Sequence, residues 1–156
     1  MSAMTDIPRF LPSVPARYAI RMSDFNSRIV EEFRANEGRV GGPFRGAPML
    51  LLHTTGARSG EARVTPVVYQ RVGDELAIFG SKAGAPTNPA WYHNLVANLA
   101  ATVEVGTETY PVTARVAEGA ERDAIFARQK EVMPGFAEYE RRTTRTIPVV
   151  LLRRAG

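Results

Sequence analysis

The chain has no cysteine, only two histidines (His53 and His93), one tryptophan (Trp91) and two lysines (Lys82 and Lys130). Without cysteine there is no disulfide framework and no thiolate chemistry, and two histidines so far apart in sequence do not make a zinc-ligand spacing. Metal catalysis is therefore not expected. No serine, histidine and acid arrangement stands out as a nucleophilic set either. Long apolar runs are also missing: nothing approaches the roughly 18 to 20 residues of a membrane span, and residues 1–16 are polar, carry three prolines and lack a signal-sequence core. A length of 156 residues suits one domain with a real core. The expectation is a cytoplasmic protein with a flexible tail over 1–16 and a single domain over 17–156.

What is abundant is arginine, 18 of the 20 basic residues, at a net charge of +4 and a pI near 9.8. Such a surface favours acidic partners, but the arginines alternate with acids and form no basic block, so nucleic acid is not the expected partner. In 17–37, Met22, Phe25, Ile29, Val30 and Phe33 recur at helical spacing with Arg17, Arg21, Asp24 and Arg28 opposite, and Gly38 follows as a stop. This amphipathic helix either packs on a sheet or makes a peripheral contact with a membrane. Residues 39–48, with three glycines and two prolines, read as a flexible connector.

Strand-like runs follow at 49–54, 62–70, 75–79, 101–105, 110–116 and 147–152, most joined as hairpins. Helical patterns occupy 88–98, 118–133 and 136–143, with Pro134-Gly135 between the last two. The order predicts a mainly β fold with peripheral helices, an antiparallel barrel and not alternating βαβ units. Pro66 cannot donate to a ladder, so its strand lies there at an edge, at a bulge, or against a neighbour other than a strand.

Two stretches invite chemistry. Thr54-Thr-Gly-Ala-Arg-Ser-Gly60 lacks the Gly-Lys-Ser/Thr ending of a nucleotide-hydrolysing loop and lies in a hairpin, leaving a turn whose N–H groups, hydroxyls and Arg58 guanidinium could hold a phosphate or carboxylate. Arg63 is close enough to add a second charge. Gly80 to Leu95 combines small residues, Lys82, and the flat side chains of Trp91 and Tyr92. Asn88 is the expected cap and Pro89 the expected first residue of its helix, whose exposed N–H groups also favour an anion. His53 reads as a packed strand residue and His93 as a pocket border. Phe136 and Tyr139 share a face that is either core or pocket wall. A site for an anion plus a planar ring, without acid–base machinery, points to a bound cofactor that performs the chemistry.

His53-Thr-Thr-Gly-Ala-Arg-Ser-Gly-Glu-Ala-Arg-Val-Thr-Pro66, Ser81-Lys-Ala-Gly-Ala-Pro-Thr-Asn-Pro-Ala-Trp-Tyr-His-Asn-Leu95 and Arg145-Thr-Ile-Pro-Val-Val150 together resemble the deazaflavin-dependent nitroreductase family, the coenzyme F420-dependent reductases of actinobacteria. The resemblance runs from about Pro48 to Leu152. It implies a split β-barrel like that of flavin-reductase and pyridoxamine-oxidase proteins, acting as a monomer, with F420 as cofactor in preference to FMN. It also implies hydride transfer to a small electron acceptor such as a quinone, an enone or a nitroaromatic.

By that resemblance the cofactor tail meets Ala57, Arg58, Ser59, Gly60, Arg63 and Lys82. The ring lies beside Val64, Thr65, Pro66, Val67 and Val68, beside Phe79, Gly80 and Ser81, and beside Ala90, Trp91, Tyr92, His93 and Asn94. Ser81, Tyr69 and Tyr139 are the candidate proton donors, and Met133, Phe136 and Tyr139 border the acceptor. Nitroimidazole-reducing members carry tyrosines where this chain has Met133 and Phe136, and a tyrosine can stand at the place of Val68. Losing these donors weakens the case for a nitroimidazole acceptor. The alternatives are an F420- or FMN-binding protein without turnover, an FMN-dependent reductase, and an adaptor acting through the arginine-rich helix.

Overall fold

The computed structural model describes residues 26–155; the expected tail over 1–16 and the first part of the expected helix over 17–37 lie outside the described residues. Ten elements follow one another: α1 (26–35), β1 (Met49–Thr55), β2 (Ala62–Val72), β3 (Glu75–Phe79), α2 (Ala90–Ala97), β4 (Ala100–Val105), β5 (Glu108–Val116), α3 (Gly119–Val132), α4 (Gly135–Arg141) and β6 (Val149–Arg154). The six strands close a barrel in the order β1-β2-β3-β6-β5-β4, every neighbouring pair antiparallel. The predicted mainly β architecture is thus the observed one.

The alternation of side chains explains why β1, β3 and β6 read as continuous apolar runs instead of the alternating pattern of a half-exposed strand. Leu50, Leu52, Leu76, Ile78, Val150 and Leu152 point into the barrel, where Trp91 and Leu95 of α2 join them. Their neighbours point outward but are covered as well. Ala77, Phe79, Val149 and Leu151 lie under α3 and α4. Met49 and Leu51 pack with Ile29, Phe33 and Val40. With both faces buried, hydrophobic burial acts on every residue of these runs.

That packing decides the role of α1 over its described part. Ile29 and Phe33 are buried against the barrel, so the apolar face an interfacial helix would offer a lipid surface is already covered. The helix ends at residue 35, with Glu37 and Gly38 both at positive φ and the Gly38 N–H donating to the Phe33 carbonyl at 2.8 Å. Nor is 39–48 merely a connector. Val40 is buried, and Gly42–Phe44 forms a 3-10 turn that sets Phe44 against the α1 cluster.

Glu104 on β4 ties α1 to the barrel. Arg34 donates to both of its carboxylate oxygens, at 3.0 and 2.6 Å, and His53 Nε2 stands 2.6 Å from Oε2. The Arg34 hydrogen bonds, more than the His53 one, hold the Glu104 carboxyl below its usual value of 4.5 against the opposing effect of burial. A depressed carboxylate contributes stability that is complete above the unfolded value and lost as the pH falls through the folded one. Glu104→Gln is expected to lower the melting temperature at neutral pH and to lose its effect as the pH falls through the titration of the folded Glu104 carboxyl, below the usual 4.5. Because Arg34 is half exposed, the difference should not exceed about 1 kcal/mol. Melting curves of both proteins over that range check it, and a gap that persists at acid pH would remove the ionic explanation.

The strand holding Pro66 is split. From Ala62 to Val68 only β1 pairs with β2, and from Tyr69 to Val72 its ladder partner is β3. Pro66 is therefore on an edge, as one of its expected placements has it. Beyond Phe79 the chain leaves β3 and turns toward α4, opening a gap along that edge of β2.

Candidate functional site

At one end of this open edge lies a cavity of about 700 Å³, lined by Gly56, Ala57, Arg58 and Ser59 of the β1–β2 turn, Arg63 and Thr65 of β2, and Ala90, Trp91, His93 and Asn94 of α2. Nine of the expected cofactor-binding residues meet here, and none of the lining residues is acidic. Arg58 and Arg63 bring two positive charges, and the ion pair either makes among the described residues is a 3.6 Å contact between Arg63 and the exposed Glu61.

The turn is fixed from within. Gly56 N–H donates to the Glu61 carbonyl (2.7 Å), Gly60 N–H to the Gly56 carbonyl (2.9 Å) and Glu61 N–H to Ser59 Oγ (3.1 Å). A Cβ at Gly56 would come within 2.6 Å of Ser59 Oγ, so a larger residue there would push the Ser59 hydroxyl away from its bond to Glu61 N–H. Buried Asn94 clips it to α2: its Oδ1 accepts from Ala57 N–H (2.9 Å) while its Nδ2 donates to Thr54 Oγ1 (3.4 Å). Asn94 thus spends its polar groups on the scaffold. Among the described residues the Arg58 and Ser59 amides make no hydrogen bond, which leaves two N–H donors beside the guanidiniums.

Asn88 and Pro89 differ from expectation. The helix begins at Ala90, Pro89 occupies the capping position, and no side chain caps it. Asn88 has another partner: its Oδ1 accepts from Arg145 at 2.6 Å. Arg145 also donates to the carbonyls of Gly80 (3.0 Å), Ser81 (2.9 Å) and Ala85 (3.0 Å), so one guanidinium gathers the whole loop between β3 and α2. Burial lowers its pKa, yet no carboxylate pairs with it among the described residues. Arg145 lay in the third motif, but nothing in local spacing announces a residue that reaches back across some sixty positions.

The loop it holds is unusual backbone. Lys82 and Ala83 have φ of 48° and 54°, and Gly84, at 83°, sits where a Cβ would meet the Tyr139 carbonyl at 2.8 Å and Arg142 Cβ at 2.7 Å. Side chains other than glycine adopt such angles at a cost, and the packing on α4 enforces them here. Ser81 is buried at its start, whereas Lys82 donates to Thr87 Oγ1 (3.2 Å), is exposed, and does not line the arginine cavity.

The remaining expected residues divide by face. Phe79 and Phe136 are buried edge to face at 5.5 Å, Tyr139 meets Phe136 edge to face at 5.2 Å, and Met133 and Val68 pack against the same cluster. Val67 points into the barrel, with Tyr92 at the margin of that core, and Val64 turns toward α1. Gly60 and Pro66 contribute backbone at the turn and at the open edge. Tyr69 lines a different cavity, together with Met133.

A family model for F420H2-dependent quinone reductases matches residues 26–154. An F420H2-dependent quinone reductase of Mycobacterium tuberculosis is 41% identical over 128 residues, 78% of this chain and 85% of that protein. The solved F420H2-dependent reductase FDR-A superposes with a TM-score of 0.62 at 38% identity, covering 68% of this chain and 94% of that one. A structure described as a domain-swapped dimer gives 0.64 at 32% identity, over 89% and 99%. A pyridoxamine 5'-phosphate oxidase-like structure from Listeria innocua, at 0.51 and 9% identity over 70% and 85%, shares the fold alone. The chain belongs to the F420H2-dependent quinone reductase family.

Proposed function

We propose that this protein is an F420H2-dependent reductase that passes a hydride to a quinone-type acceptor. The observation that carries the reading is the acid-free cavity with Arg58 and Arg63, placed at the end of an open strand edge. Its residues fit the cofactor: two guanidiniums and two unpaired amides suit an acidic tail, Ala90 and Trp91 give a flat apolar wall, and the unpaired β2 edge offers backbone groups to a planar heterocycle. FMN would present a similar ring and phosphate; kinship favours F420.

Bound F420H2 supplies a two-electron hydride equivalent. The chain contributes grip, orientation and exclusion of water. Arg58, Ser59 and Arg63 hold the anionic end. The Arg145-bound loop and the Phe79, Phe136 and Tyr139 cluster form the facing wall. Of the candidate proton donors, Ser81 and Tyr139 belong to that loop and to α4, and Tyr69 opens into the other cavity, so the reading keeps the first two. The chain acts as a cytoplasmic monomer in this reading: its own six strands close the barrel and, among the described residues, no helix is long and apolar enough to cross a membrane. Light scattering would distinguish a monomer from a swapped dimer.

The test mixes protein, F420H2 and menadione and follows recovery of F420 absorbance against a protein-free control. Saturable quenching of Trp91 by F420 without turnover would reduce the protein to a cofactor carrier. Arg58→Ala combined with Arg63→Ala is expected to weaken F420 binding about tenfold or more at low salt, with the gap narrowing as salt screens the exposed charges. Unchanged quenching titrations would reject the anion site.

A further inference from the structure

A second cavity, of about 580 Å³, lies between the 45–48 segment, the end of β2 and the last turns of α3, and shares no lining residue with the first. Three arginines line it, Arg45, Arg71 and Arg128, and no carboxylate does. Arg71 rests over the Tyr69 ring at 5.8 Å, and none of the three has an acidic partner or a hydrogen bond through its side chain among the described residues. Other arginines, such as Arg34 and Arg115, pair with carboxylates on this surface; here no carboxylate lines the cavity.

The rest of the lining is apolar or already satisfied. Gln70 Nε2 donates to Gln129 Oε1 (3.1 Å) and to the Ile125 carbonyl (3.2 Å), so the buried amides form a floor that asks for little from a ligand. Pro48, Met133 and Val132 supply apolar surface, Val132 with 58% of its area exposed. Three like charges around one concavity repel each other and focus a positive potential into it, which an anion relieves. The volume is that of a small-molecule site.

We infer that this cavity binds a small amphipathic anion, a carboxylate or phosphate on a short apolar body, at a site separate from the cofactor cavity. The acid meets Arg45, Arg71 and Arg128, and the apolar body lies along Pro48, Val132 and Met133. Guanidiniums take both acids in bidentate geometry, so the lining admits either.

Titration calorimetry with octanoate, octyl phosphate, octanol and inorganic phosphate, run with and without saturating F420, tests this and tells the two acids apart. One saturable site for octanoate or octyl phosphate is expected to persist under F420. Arg71→Gln combined with Arg128→Gln should weaken it about tenfold or more while leaving F420 affinity unchanged. Val132→Asp, an exposed change that places a like charge on the apolar side, should weaken it too. The proposal is overturned if F420 abolishes binding, if the arginine double variant retains it, if octanol or bare phosphate binds as tightly, or if neither amphiphile gives saturable heat. Because F420 affinity is read separately, failure here does not bear on the cofactor assignment.

Discussion

Replacing Arg145 by methionine is expected to cost about 2–4 kcal/mol of stability and to lower kcat/KM with F420H2 and menadione about a hundredfold. Arg145 makes four charge-assisted hydrogen bonds, three of them to carbonyls of one loop; methionine leaves three of the acceptors without a donor among the described residues, the Ser81 carbonyl keeping Gly84 N–H. A single such bond is worth about 1.5–3 kcal/mol, but the site is only partly buried and water can replace part of the loss, which sets the lower total. For a chain of this size the melting temperature should drop by roughly 5–15 °C. The kinetic loss exceeds what stability explains, because the same loop carries Ser81 and the strained backbone at Lys82 and Ala83. Released from the guanidinium, those residues relax toward ordinary angles and the wall proposed to face the cofactor moves. Lysine should not rescue, since a point charge on a flexible stem cannot reach four acceptors in a fixed fork. Wild-type F420 affinity and turnover in Arg145→Met, measured well below its melting temperature, would show that the loop holds itself.

Phe126→Ala is expected to be the most damaging core change, at about 3–5 kcal/mol. Phe126 is 1% exposed and lies against Phe79 and Phe136, with ring centroids at 6.2 and 6.5 Å, while Arg122 stands 4.6 Å over its face. Removing the ring leaves a void between α3, α4 and the β3–β6 pair that the neighbouring aromatic residues cannot fill without changing rotamers. Phe79 directly precedes Gly80, so the disturbance reaches the loop proposed to face the acceptor while the arginine cavity stays apart from it. The variant should therefore show a raised KM for menadione and near-normal F420 binding, along with the loss seen in denaturant titration. Ala127→Ser, one residue on and exposed, should change stability by less than about 0.5 kcal/mol. Equal losses in the two variants would contradict the packing account.

The sequence by itself determined the barrel, the order of its strands and helices, and most of the residues that come together in the arginine cavity. These depend on local pattern: β-branched and apolar runs of strand length, glycines where turns close, and a short hairpin that keeps Arg58, Ser59 and Arg63 together whatever the rest of the chain does. Pro66 signalled the open edge because a missing N–H has consequences no fold can remove. Only the tertiary structure decided which polar groups remained for a ligand. Asn94 was a candidate cofactor contact and is a clip between turn and helix; Asn88 was a candidate cap and is an acceptor for Arg145; Lys82 was a candidate anion contact and is turned away from the arginine cavity. Tyr69, a candidate proton donor, lines the second cavity with three arginines that no sequence spacing connects. The Asn94 and Asn88 outcomes depend on partners about forty and sixty residues distant, the Lys82 one on a turn with its partner Thr87 only five residues on, and the Tyr69 one on which side of a strand faces the helix packed over it. A side chain's type and spacing show what it can donate or accept, and long-range packing decides where that capacity is used.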